Sequence, residues 1–436
     1  MSTLLSQREL EDFKKEYEKP SYIGVRVNTL KANENKLFSL TDAFSEKDRT
    51  PFCENGFYLK SKDALSGNHP LHHAGAFYFQ EPSAMSAVSL LDPQKGDKVL
   101  DLCAAPGGKS TQIAAALDGE GLIWSNEIVK SRANILLSNF ERTGIRNAVI
   151  SNSDPETLCS MLEGCFDKVL VDAPCSGEGM IRRDPDALTQ WSVEHTLSCA
   201  TRQLKILESA KKALRKGGIL VYSTCTFSKE ENEGVIEAFL KENPDFELTD
   251  FSESFGREGL IKNTCRIYPM DGGEGHFAAR LRKKGDEKGV FSEQIASNKV
   301  PSLVTDFLKE IFKDTTPYQK LYIKDGLVYA LPEICPDLRS KHVIRAGILV
   351  GTIKKNYFEP AHALFASADI ENLKNVMNLS LSDPRVLRFL KGEEIDAETS
   401  LKGYCGVAIE GIPLGFGKVS SGKLKNKYPK GLRIRN

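Results

Sequence analysis

Two cysteines, Cys175 and Cys225, each come shortly after an apolar, strand-like segment of the 436-residue chain. The first lies in VDAPCSGEGM and the second in VYSTCTFS. An isolated intracellular cysteine is usually a buried packing residue, and we assign that role to most of the other cysteines. Cys175 differs because Pro174 stiffens the chain before it, while Gly177 and Gly179 leave room for a flat substrate. If the two strands are parallel neighbours, both thiols lie at one edge of the sheet.

A thiolate at this edge suits an attack on carbon 6 of a pyrimidine. Carbon 5 of cytosine is too weakly nucleophilic to take a methyl group unaided, and addition at carbon 6 makes an enamine that can do so. Asp172, three residues before Cys175, is predicted to support the adduct near N3 in its protonated form. A base must then remove the proton on carbon 5, and two cysteines can share these duties. The spacing of Ser228 and Glu231 predicts a capping box that opens a helix just after Cys225, whose positive end favours a thiolate.

The segment LDLCAAPGGKSTQIAAAL (100–117) joins a strand to an Ala-rich helix through a loop of small residues. Ligands of doubly wound sheets bind at the carboxyl ends of the strands, where Gly107 and Gly108 let the backbone come close and a helix N-terminus favours an anionic group. Glu127 follows the second strand, where an acid can hold ribose hydroxyls, and Asp154 follows the third, toward the adenine. The loop lacks the GxGxxG of a dinucleotide site. S-adenosylmethionine has no pyrophosphate, so it does not need that pattern.

Short apolar strands alternate with amphipathic helices from about residue 95 onward. This alternation predicts an α/β fold with a Rossmann-like, doubly wound, mostly parallel sheet. A late run at 275–283 is predicted to add an edge strand. The predicted strands cover 98–103, 121–126, 147–151, 168–173 and 218–223, and predicted helices between them cover 131–144 and 196–218.

Several motifs resemble one family when taken in this order: RVNTLK (26–31), FQEPSAM (79–85), APGGKS, DAPCSGEG, STCTFSKEENE and DGGEGHFAARL (271–281). Over about residues 20–285 the chain is similar to the RNA cytosine-5 methyltransferases of the NOP2/Sun type, most like the bacterial RsmF branch that modifies small-subunit ribosomal RNA. The resemblance implies S-adenosylmethionine as methyl donor, Cys225 as nucleophile and Cys175 as the residue that helps release the product. It also implies that the cofactor is contacted by Cys103, Ala104, Ala105, Pro106, Gly107, Gly108, Lys109, Glu127, Asp154 and Asp172.

The rest of the chain divides around this unit. We predict an N-terminal accessory or RNA-binding unit at 1–75, the methyltransferase domain at 76–285, an intermediate domain at 286–360 and an RNA-binding domain at 361–436. The C-terminal part resembles the PUA-like, α+β or mostly β tail of the RsmF branch, in RAGILVGTIKKNYFEPAHAL (345–364) and GFGKVSSGKLKNKYPKGLR (415–433). Residues 417–436 hold seven Lys or Arg and no acid, which predicts a surface that contacts RNA phosphates.

Composition narrows the class of protein further. The 59 basic and 59 acidic residues balance, and 40% of residues are apolar, as in an ordinary folded protein of more than one domain. The sequence has no export signal and no apolar stretch of about 20 residues, which predicts a cytoplasmic protein without a membrane partner. The ten cysteines form no CxxC pair, so we predict reduced thiols and no metal. We also expect a monomer.

Other functions compete with this interpretation. A transfer RNA cytosine-5 methyltransferase would use the same catalytic loops, because these loops do not read the surrounding RNA. A nicotinamide dehydrogenase is disfavoured by the missing GxGxxG and by the paired cysteines. A non-catalytic RNA-binding assembly factor can share the fold, but the intact loop and both cysteines argue against it. DNA suits the basic C-terminus less well than RNA.

Overall fold

The N-terminal part of the chain forms a small antiparallel sheet with three helices. Its elements are α1 (Gln7–Tyr17), β1 (Gly24–Val27), α2 (Glu34–Leu40), β2 (Gly56–Tyr58), α3 (Pro70–His73) and β3 (Phe77–Phe79). The computed structural model describes residues 1, 4–184, 186–250, 255–294, 296–297, 299–339 and 342–434. The strands pair in the order β2-β1-β3, so the third strand lies past residue 75, where the sequence analysis ends this unit. The division into domains itself stays a prediction.

The central part forms an α/β unit. Its elements are α4 (Ser86–Leu91), β4 (Lys98–Asp101), α5 (Gly108–Leu117), β5 (Leu122–Asn126), α6 (Lys130–Thr143), β6 (Ala148–Ser151), α7 (Pro155–Met161), β7 (Phe166–Asp172), α8 (Asp186–Gln190), α9 (Val193–Ala213), β8 (Leu214–Thr224), α10 (Glu233–Glu242), β9 (Phe246–Leu248), β10 (Arg257–Glu258), β11 (Thr264–Ile267) and β12 (His276–Lys283).

The central sheet is doubly wound and mostly parallel, as predicted. Five parallel strands lie in the order β8-β7-β4-β5-β6, so the chain winds outward from β4 in both directions. β12 is the strand predicted over 275–283 and pairs antiparallel with β8, but it is not the outermost strand, because β11 and β10 pair beyond it. The carboxyl ends of β4, β5, β6, β7 and β8 therefore meet along one edge.

The helix predicted over 196–218 ends earlier in the structure. α9 stops at Ala213, and β8 begins at Leu214, which pairs with Phe166 of β7. Gly217 has φ +78, a left-handed conformation that glycine adopts without strain and that a right-handed helix excludes. The Gly217–Gly218 pair therefore marks an irregularity inside a long strand and not the end of a helix.

Apolar side chains cover both faces of the central sheet. Leu100 belongs to a cluster with Leu207 and Phe239 of α9 and α10, whereas Val99 belongs to a cluster with Ile113 of α5 on the other face. Alternate residues of a strand point to opposite faces, and strands buried on both faces read as continuous apolar runs. The sheet therefore holds the loops at its carboxyl edge on a rigid base.

The C-terminal part adds two further sheets. Its elements are α11 (Ser302–Ile311), β13 (Leu321–Lys324), β14 (Leu327–Ala330), β15 (Val343–Ala346), β16 (Ile348–Ile353), β17 (Phe358–Pro360), α12 (His362–Ala366), β18 (Val376–Leu379), α13 (Pro384–Leu390), β19 (Ile395–Asp396), β20 (Gly403–Ile409), β21 (Ile412–Ser420) and β22 (Lys423–Asn426). β13-β14-β16-β17 form one sheet and β18-β20-β21-β22-β19 the other. β15 instead pairs antiparallel with β6 and extends the central sheet.

The first and last parts of the chain share an apolar core. Val25 and Phe77 of the N-terminal sheet lie in one cluster with Phe389 and Val407 of the C-terminal region. The basic C-terminus is therefore not a free tail, since β21 and β22 belong to this packed module and Leu424 is fully buried. Within the described ranges, no helix is both long enough and apolar enough to cross a bilayer.

Candidate active site

A cleft of about 1420 Å³ opens at the carboxyl ends of the parallel strands. This is the edge where doubly wound sheets bind their ligands. Ala104, Gly107 and Gly108 belong to the loop behind the cleft and are not among its lining residues. The predicted site residues that line the cleft are Cys103, Ala105, Pro106, Lys109, Glu127, Asp154, Asp172, Cys175 and Cys225.

The loop between β4 and α5 is fixed by hydrogen bonds from α6. Arg132 donates to the carbonyl oxygen of Ala105 at 2.7 Å, and Asn139 donates to that of Pro106 at 2.9 Å. Gly107 has φ +115 and directly precedes the first residue of α5. Only glycine adopts this conformation at little cost. The glycine therefore lets the loop turn sharply into the helix, from which Lys109 lines the cleft.

Arg26 supports the same loop from the N-terminal sheet. Its side chain is 2% exposed and donates to the carbonyl oxygen of Gly108 at 3.1 Å, to Thr111 Oγ1 at 2.6 Å and to Gln80 Oε1 at 3.0 Å. Burying a guanidinium among neutral acceptors costs free energy, because water no longer solvates its charge. The RVNTLK motif, to which the sequence analysis gave no role, thus joins the N-terminal sheet to the start of α5.

Glu127 and Asp154 follow β5 and β6 at the same edge. The Glu127 side chain is 3% exposed, its Oε1 accepts from the N–H of Val129 at 2.9 Å, and its Oε2 lies 3.4 Å from Arg132. Asp154 caps α7, because its Oδ1 accepts from two N–H groups of the first turn at 3.0 and 3.1 Å. Asp154 therefore has a structural duty in addition to lining the cleft.

Asp172, at the end of β7, forms an ion pair with Lys109. The Nζ–Oδ2 distance is 2.8 Å, and Ser223 donates to Oδ1 at 2.8 Å. Burial alone would raise the pKa of Asp172, but the Lys109 cation and these hydrogen bonds outweigh burial and lower it. Asp172 is therefore a carboxylate at neutral pH. The predicted protonated form does not fit this geometry, because the neighbouring ammonium stabilises the charged form.

The sulfur atoms of Cys175 and Cys225 lie 3.2 Å apart. β7 and β8 are parallel neighbours with Asp172 beside Ser223, so the two cysteine loops leave the sheet side by side. The hydrogen bond with Cys225, together with burial, raises the pKa of the Cys175 thiol well above its ordinary value. Cys175 therefore keeps its proton, and the two sulfurs are close enough to share a hydrogen bond.

Glu231 connects the two cysteine loops through hydrogen bonds. Its carboxylate accepts from the N–H of Ser176 at 3.0 Å, from the Ser176 hydroxyl and from Gln203 Nε2 at 2.8 Å. The Ser176 hydroxyl also lies 2.9 Å from that of Thr226. The predicted capping box is wrong, because the Glu231 side chain points to Ser176, although Ser228 Oγ does accept from the Glu231 N–H at 3.3 Å.

The helix after the second cysteine begins later than predicted. α10 starts at Glu233, eight residues beyond Cys225, and Glu233 pairs with buried Arg266. The positive helix end therefore does not follow the thiol directly, and Lys109 is a cation that lines the cleft together with Cys225. Burial alone would lower the pKa of Lys109, but the charges of Asp172 and Cys225 raise it.

His276 lines the same cleft and was missed by the sequence analysis. It begins β12, its side chain is 2% exposed, and its Nε2 lies 4.0 Å from Asp172 Oδ1. A signal was present, because DGGEGHFAARL is one of the motifs that carry the resemblance. The sequence analysis noted Glu231 only as a capping residue and Arg26 only within the RVNTLK motif.

The cleft combines a pair of thiols, a carboxylate–ammonium pair and the tight loop between β4 and α5. Among the described residues, no group of His, Cys, Asp and Glu side chains is arranged to hold a metal ion. This arrangement suits attack by a sulfur nucleophile on a ligand that lies between the cysteines and the β4–α5 loop.

Four family comparisons cover most of the chain. Residues 1–82 match the N-terminal domain of 16S rRNA methyltransferase RsmF, and residues 88–282 match 16S rRNA methyltransferase RsmB/F. Residues 306–367 match the RsmF rRNA methyltransferase first C-terminal domain, and residues 376–434 match the methyltransferase RsmF PUA domain. The five-stranded sheet that includes β21 and β22 therefore lies in a PUA-like domain.

Solved structures share the fold of about two thirds of the chain. A methyltransferase homolog protein from Pyrococcus horikoshii is 32% identical, with a TM-score of 0.55 over 64% of this chain and 92% of that chain. NSun6 from Pyrococcus horikoshii, solved with SFG, has a TM-score of 0.57 over 65% and 96%. NSun6 is 24% identical, so this second match concerns the fold alone.

Curated relatives match nearly the whole length. The ribosomal RNA small subunit methyltransferase F of Vibrio vulnificus strain YJ016 is 34% identical over 98% of this chain and 95% of its own. That of Vibrio campbellii is 34% identical over 97% and 94%. Matches of this length include every domain, from the N-terminal sheet to the PUA-like domain. The chain belongs to the ribosomal RNA small subunit methyltransferase F family.

Proposed function

We propose that this protein transfers a methyl group from S-adenosylmethionine to carbon 5 of a cytosine in RNA through a covalent adduct on Cys225. The proposal rests above all on the 3.2 Å contact between the sulfurs of Cys175 and Cys225 beside the cleft. Methylation of an amine or a hydroxyl needs no sulfur nucleophile, because those atoms are nucleophilic themselves. A carbon target requires prior activation, and addition of a thiolate supplies it.

S-adenosylmethionine suits the cleft, to which it brings an electrophilic methyl group. Cys103, Ala105 and Pro106 line the wall beside α5 and would contact the nucleoside. Glu127 would accept from the ribose hydroxyls, since its buried carboxylate ends the second strand, where doubly wound folds hold the ribose. Asp154 would lie on the adenine side.

Cys225 attacks carbon 6 as a thiolate, and carbon 5 becomes nucleophilic as a result. Before the attack, Cys175 keeps its proton and donates a hydrogen bond to the Cys225 sulfur. Lys109 places a positive charge in the same cleft as this sulfur. These two features make Cys225 the nucleophile and leave Cys175 for the later step.

Cys175 assists the release of the product. Carbon 5 carries both a proton and the new methyl group after transfer, and the proton must leave before the carbon–sulfur bond breaks. The contact with Cys225 is the largest cause of the raised pKa of Cys175. Once Cys225 is a neutral thioether in the adduct, neither this hydrogen bond nor a charge on Cys225 raises the pKa of Cys175, which then gives its proton to solvent in the open cleft. The Cys175 thiolate then takes the carbon 5 proton, the electron pair restores the ring double bond, and Cys225 leaves as a thiolate.

Small-subunit ribosomal RNA is the proposed substrate. Family membership supports it, because the curated relatives carry that substrate in their names. An exposed set of lysines in the PUA-like domain offers contacts for phosphates. This basic face consists of Lys418, Lys423, Lys425 and Lys427.

A labelling experiment tests the reaction and the substrate together. The protein is incubated with methyl-labelled S-adenosylmethionine and, separately, with 16S ribosomal RNA, 30S subunits and transfer RNA from a strain that lacks the gene. We expect label in 5-methylcytidine from the ribosomal samples. Label in transfer RNA alone would indicate that transfer RNA is the substrate instead. Label in another nucleoside would contradict the carbon 5 chemistry, and no label would favour a non-catalytic assembly role.

Substitution of each cysteine tests the mechanism. Cys225→Ala should abolish methylation and every covalent intermediate. Cys175→Ala should still attack and transfer the methyl group but accumulate a protein–RNA adduct that survives denaturing electrophoresis and requires S-adenosylmethionine. Cys405→Ala, a buried cysteine of the PUA-like domain, is the matched control and should behave as the wild type. An adduct from Cys225→Ala together with normal turnover by Cys175→Ala would reverse the two roles.

A further inference from the structure

His276 stands on a rigid loop that leads into the cleft. Glu274, two residues before it, forms a buried ion pair with Arg182, in which Nε lies 2.7 Å from Oε2. Gly275 has φ +140, and a Cβ atom there would come within 2.4 Å of the Phe227 ring. The chain is therefore confined on both sides as it enters β12, and the position of the imidazole is fixed before any ligand binds.

The β-sheet pairing brings His276 next to the cysteines. Phe277 pairs with Thr224, the last residue of β8, and Cys225 follows directly. On the other side, His276 Nε2 lies 4.0 Å from Asp172 Oδ1. The imidazole thus lies close to the Asp172 carboxylate and lines the same cleft as Cys225.

The imidazole is neutral, and the part of the chain that the structure describes offers its Nε2 no hydrogen bond. Burial, helped by the charge of Lys109, lowers the pKa of His276 to about 3. A neutral imidazole carries one N–H donor and one acceptor nitrogen. Nε2 is buried and, like Nδ1, has no hydrogen-bond partner among the described residues. Buried polar atoms without a partner are rare because they cost free energy, which indicates that the partner of His276 arrives with the substrate.

We propose that His276 donates a hydrogen bond to N3 of the target cytosine while the carbon 6 adduct forms; this inference rests on the proposed function. Asp172 cannot take that role, because its carboxylate is held ionised by Lys109 and can only accept hydrogen bonds. A carboxylate instead suits the amino group on carbon 4, which donates. The two side chains together match the polar edge of cytosine, with Asp172 as acceptor and His276 as donor.

The electron flow of the reaction explains why a donor is needed at N3. The thiolate pair of Cys225 forms the bond to carbon 6, the pair between carbons 5 and 6 moves between carbons 4 and 5, and the pair between carbon 4 and N3 moves onto N3. The negative charge therefore develops on N3 and returns to the ring when carbon 5 takes the methyl group. The proton stays on His276 throughout, and its hydrogen bond is strongest when the charge is greatest.

The test compares His276→Phe, His276→Gln and the control His362→Phe in the complete chain. Phenylalanine keeps a buried ring but has no N–H, whereas glutamine keeps a donor at a similar reach. His362 is the matched control, because burial also lowers its pKa to about 3 and its Nδ1 also lacks a partner, but it lies in α12 outside the cleft. Single-turnover methyl transfer to 16S ribosomal RNA and to 30S subunits, and binding of S-adenosylmethionine by calorimetry, are measured for each.

We expect His276→Phe to slow methyl transfer by about 100-fold at saturating RNA, a loss typical of one donor to a developing anion. His276→Gln should recover most of the rate, His362→Phe should match the wild type, and all should bind S-adenosylmethionine equally. A normal rate in His276→Phe, or weaker binding of S-adenosylmethionine in that variant, would overturn the inference and leave the proposed function intact. A wild type that makes no 5-methylcytidine would overturn both.

Discussion

The cleft and the basic face of the PUA-like domain use charge in opposite ways. In the cleft, the Lys109 ammonium lies 2.8 Å from the Asp172 carboxylate, and both are largely enclosed. On the basic face, Lys418 lies directly opposite Lys425 on neighbouring strands. Like charges at such positions destabilise a sheet, and a bound polyanion relieves the repulsion. The cleft charges are thus satisfied within the protein. On the basic face Lys423 pairs with Asp396, and we expect RNA phosphates to balance the lysines that lie opposite each other.

This difference separates two kinds of experimental effect. A substitution in the cleft should change the rate of the chemical step or the binding of the cofactor, because each group there holds another in place. A substitution on the basic face should change RNA affinity and its dependence on salt, because exposed cations act through counterion release. Four predictions test this separation, in order of decreasing effect.

The largest effect is expected for Gly107→Val. Gly107 has φ +115, and a Cβ atom there would lie 3.0 Å from Leu136 Cδ1. The strained backbone would shift the loop that lines the cofactor wall, so the rise in melting temperature caused by S-adenosylmethionine should disappear. NAD should cause no rise in either protein. Thermal shift assays with each ligand measure this.

Gly119→Val is the control for backbone strain alone. Gly119 also has a positive φ, +80, but a Cβ atom there would meet nothing within 4 Å. This variant should lose some stability yet keep the full S-adenosylmethionine shift. Equal loss of the ligand shift in both variants, or a larger shift with NAD, would contradict the cofactor assignment.

The second effect concerns Lys109→Met. Without the cation, burial of Asp172 is no longer outweighed, so its pKa should rise above the ordinary value of about 3.9. We expect methyl transfer to fall by about 100-fold, as for a lost charge contact in an active site. The free energy of unfolding should fall by about 2 kcal/mol at pH 8, less than for a fully enclosed pair because Asp172 is 31% exposed.

The ionisation of Asp172 determines how the free energy of unfolding of Lys109→Met changes with pH. In the wild type the lowered pKa of Asp172 contributes stability above about pH 4, which is lost as the pH falls through the folded-state pKa. In Lys109→Met the ionised carboxylate is unpaired, so the stability deficit should shrink on acidification, when Asp172 takes up a proton. Residual activity should rise with pH, because the carboxylate form binds cytosine. Denaturant unfolding from pH 5 to pH 8 and single-turnover rates measure both. A deficit that does not vary with pH would exclude Asp172 as the group affected.

Much of the central fold could be predicted from the sequence, because local patterns determine it. Strand–helix alternation and the small-residue loop near Gly107 gave the doubly wound sheet and the position of the cleft. The two cysteines were paired correctly from their places after strands, and the structure brings their sulfurs to 3.2 Å. Each of these features depends on residues close together in the chain.

The remaining features depend on contacts between distant segments. The charge state of Asp172 is set by Lys109, 63 residues away in the chain. Glu231 has the spacing of a capping residue, yet it turns to Ser176, which lies 55 residues before it. Most buried polar groups in a folded protein are hydrogen-bonded, so the partner of a buried side chain depends on which other groups are buried near it. A local sequence pattern does not contain that information. The basic C-terminus was likewise predicted from composition alone, without the strands that order its lysines.

The third prediction concerns RNA affinity and the lysines of the basic face. Replacing its four lysines by glutamine should lower RNA affinity by about 10-fold at moderate salt and reduce the salt slope by about 2–4, since each lost phosphate contact removes roughly 0.7–0.9. The rate at saturating RNA should not change. Deletion of 417–436 is a poorer test, because it removes β22 and the buried side chains of Leu424 and Tyr428.

The control removes the same charge from the opposite edge of the central sheet. Lys241, Lys262, Lys284 and Lys288 are exposed and lie toward the amino ends of the parallel strands, away from the cleft. Their replacement by glutamine should leave the salt slope nearly unchanged. Equal slopes from the two quadruple variants would mean that net charge alone attracts the RNA.

The smallest expected effect is a difference in RNA affinity between substitutions of Lys423 and Lys425, two exposed lysines of β22. Lys423 bonds Asp396, whereas no acid lies within ion-pair distance of Lys425 among the described residues. A phosphate that binds Lys423 must displace Asp396, and an exposed ion pair is worth about 0.2–1 kcal/mol. Lys425→Gln should therefore weaken RNA binding by about 3-fold and Lys423→Gln by less than about 2-fold. Asp396→Asn frees Lys423 and should strengthen binding slightly. Filter binding at low salt measures these differences in RNA affinity. A greater loss of affinity from Lys423→Gln than from Lys425→Gln would contradict the prediction, because it would mean that breaking the Lys423–Asp396 ion pair costs RNA binding no free energy.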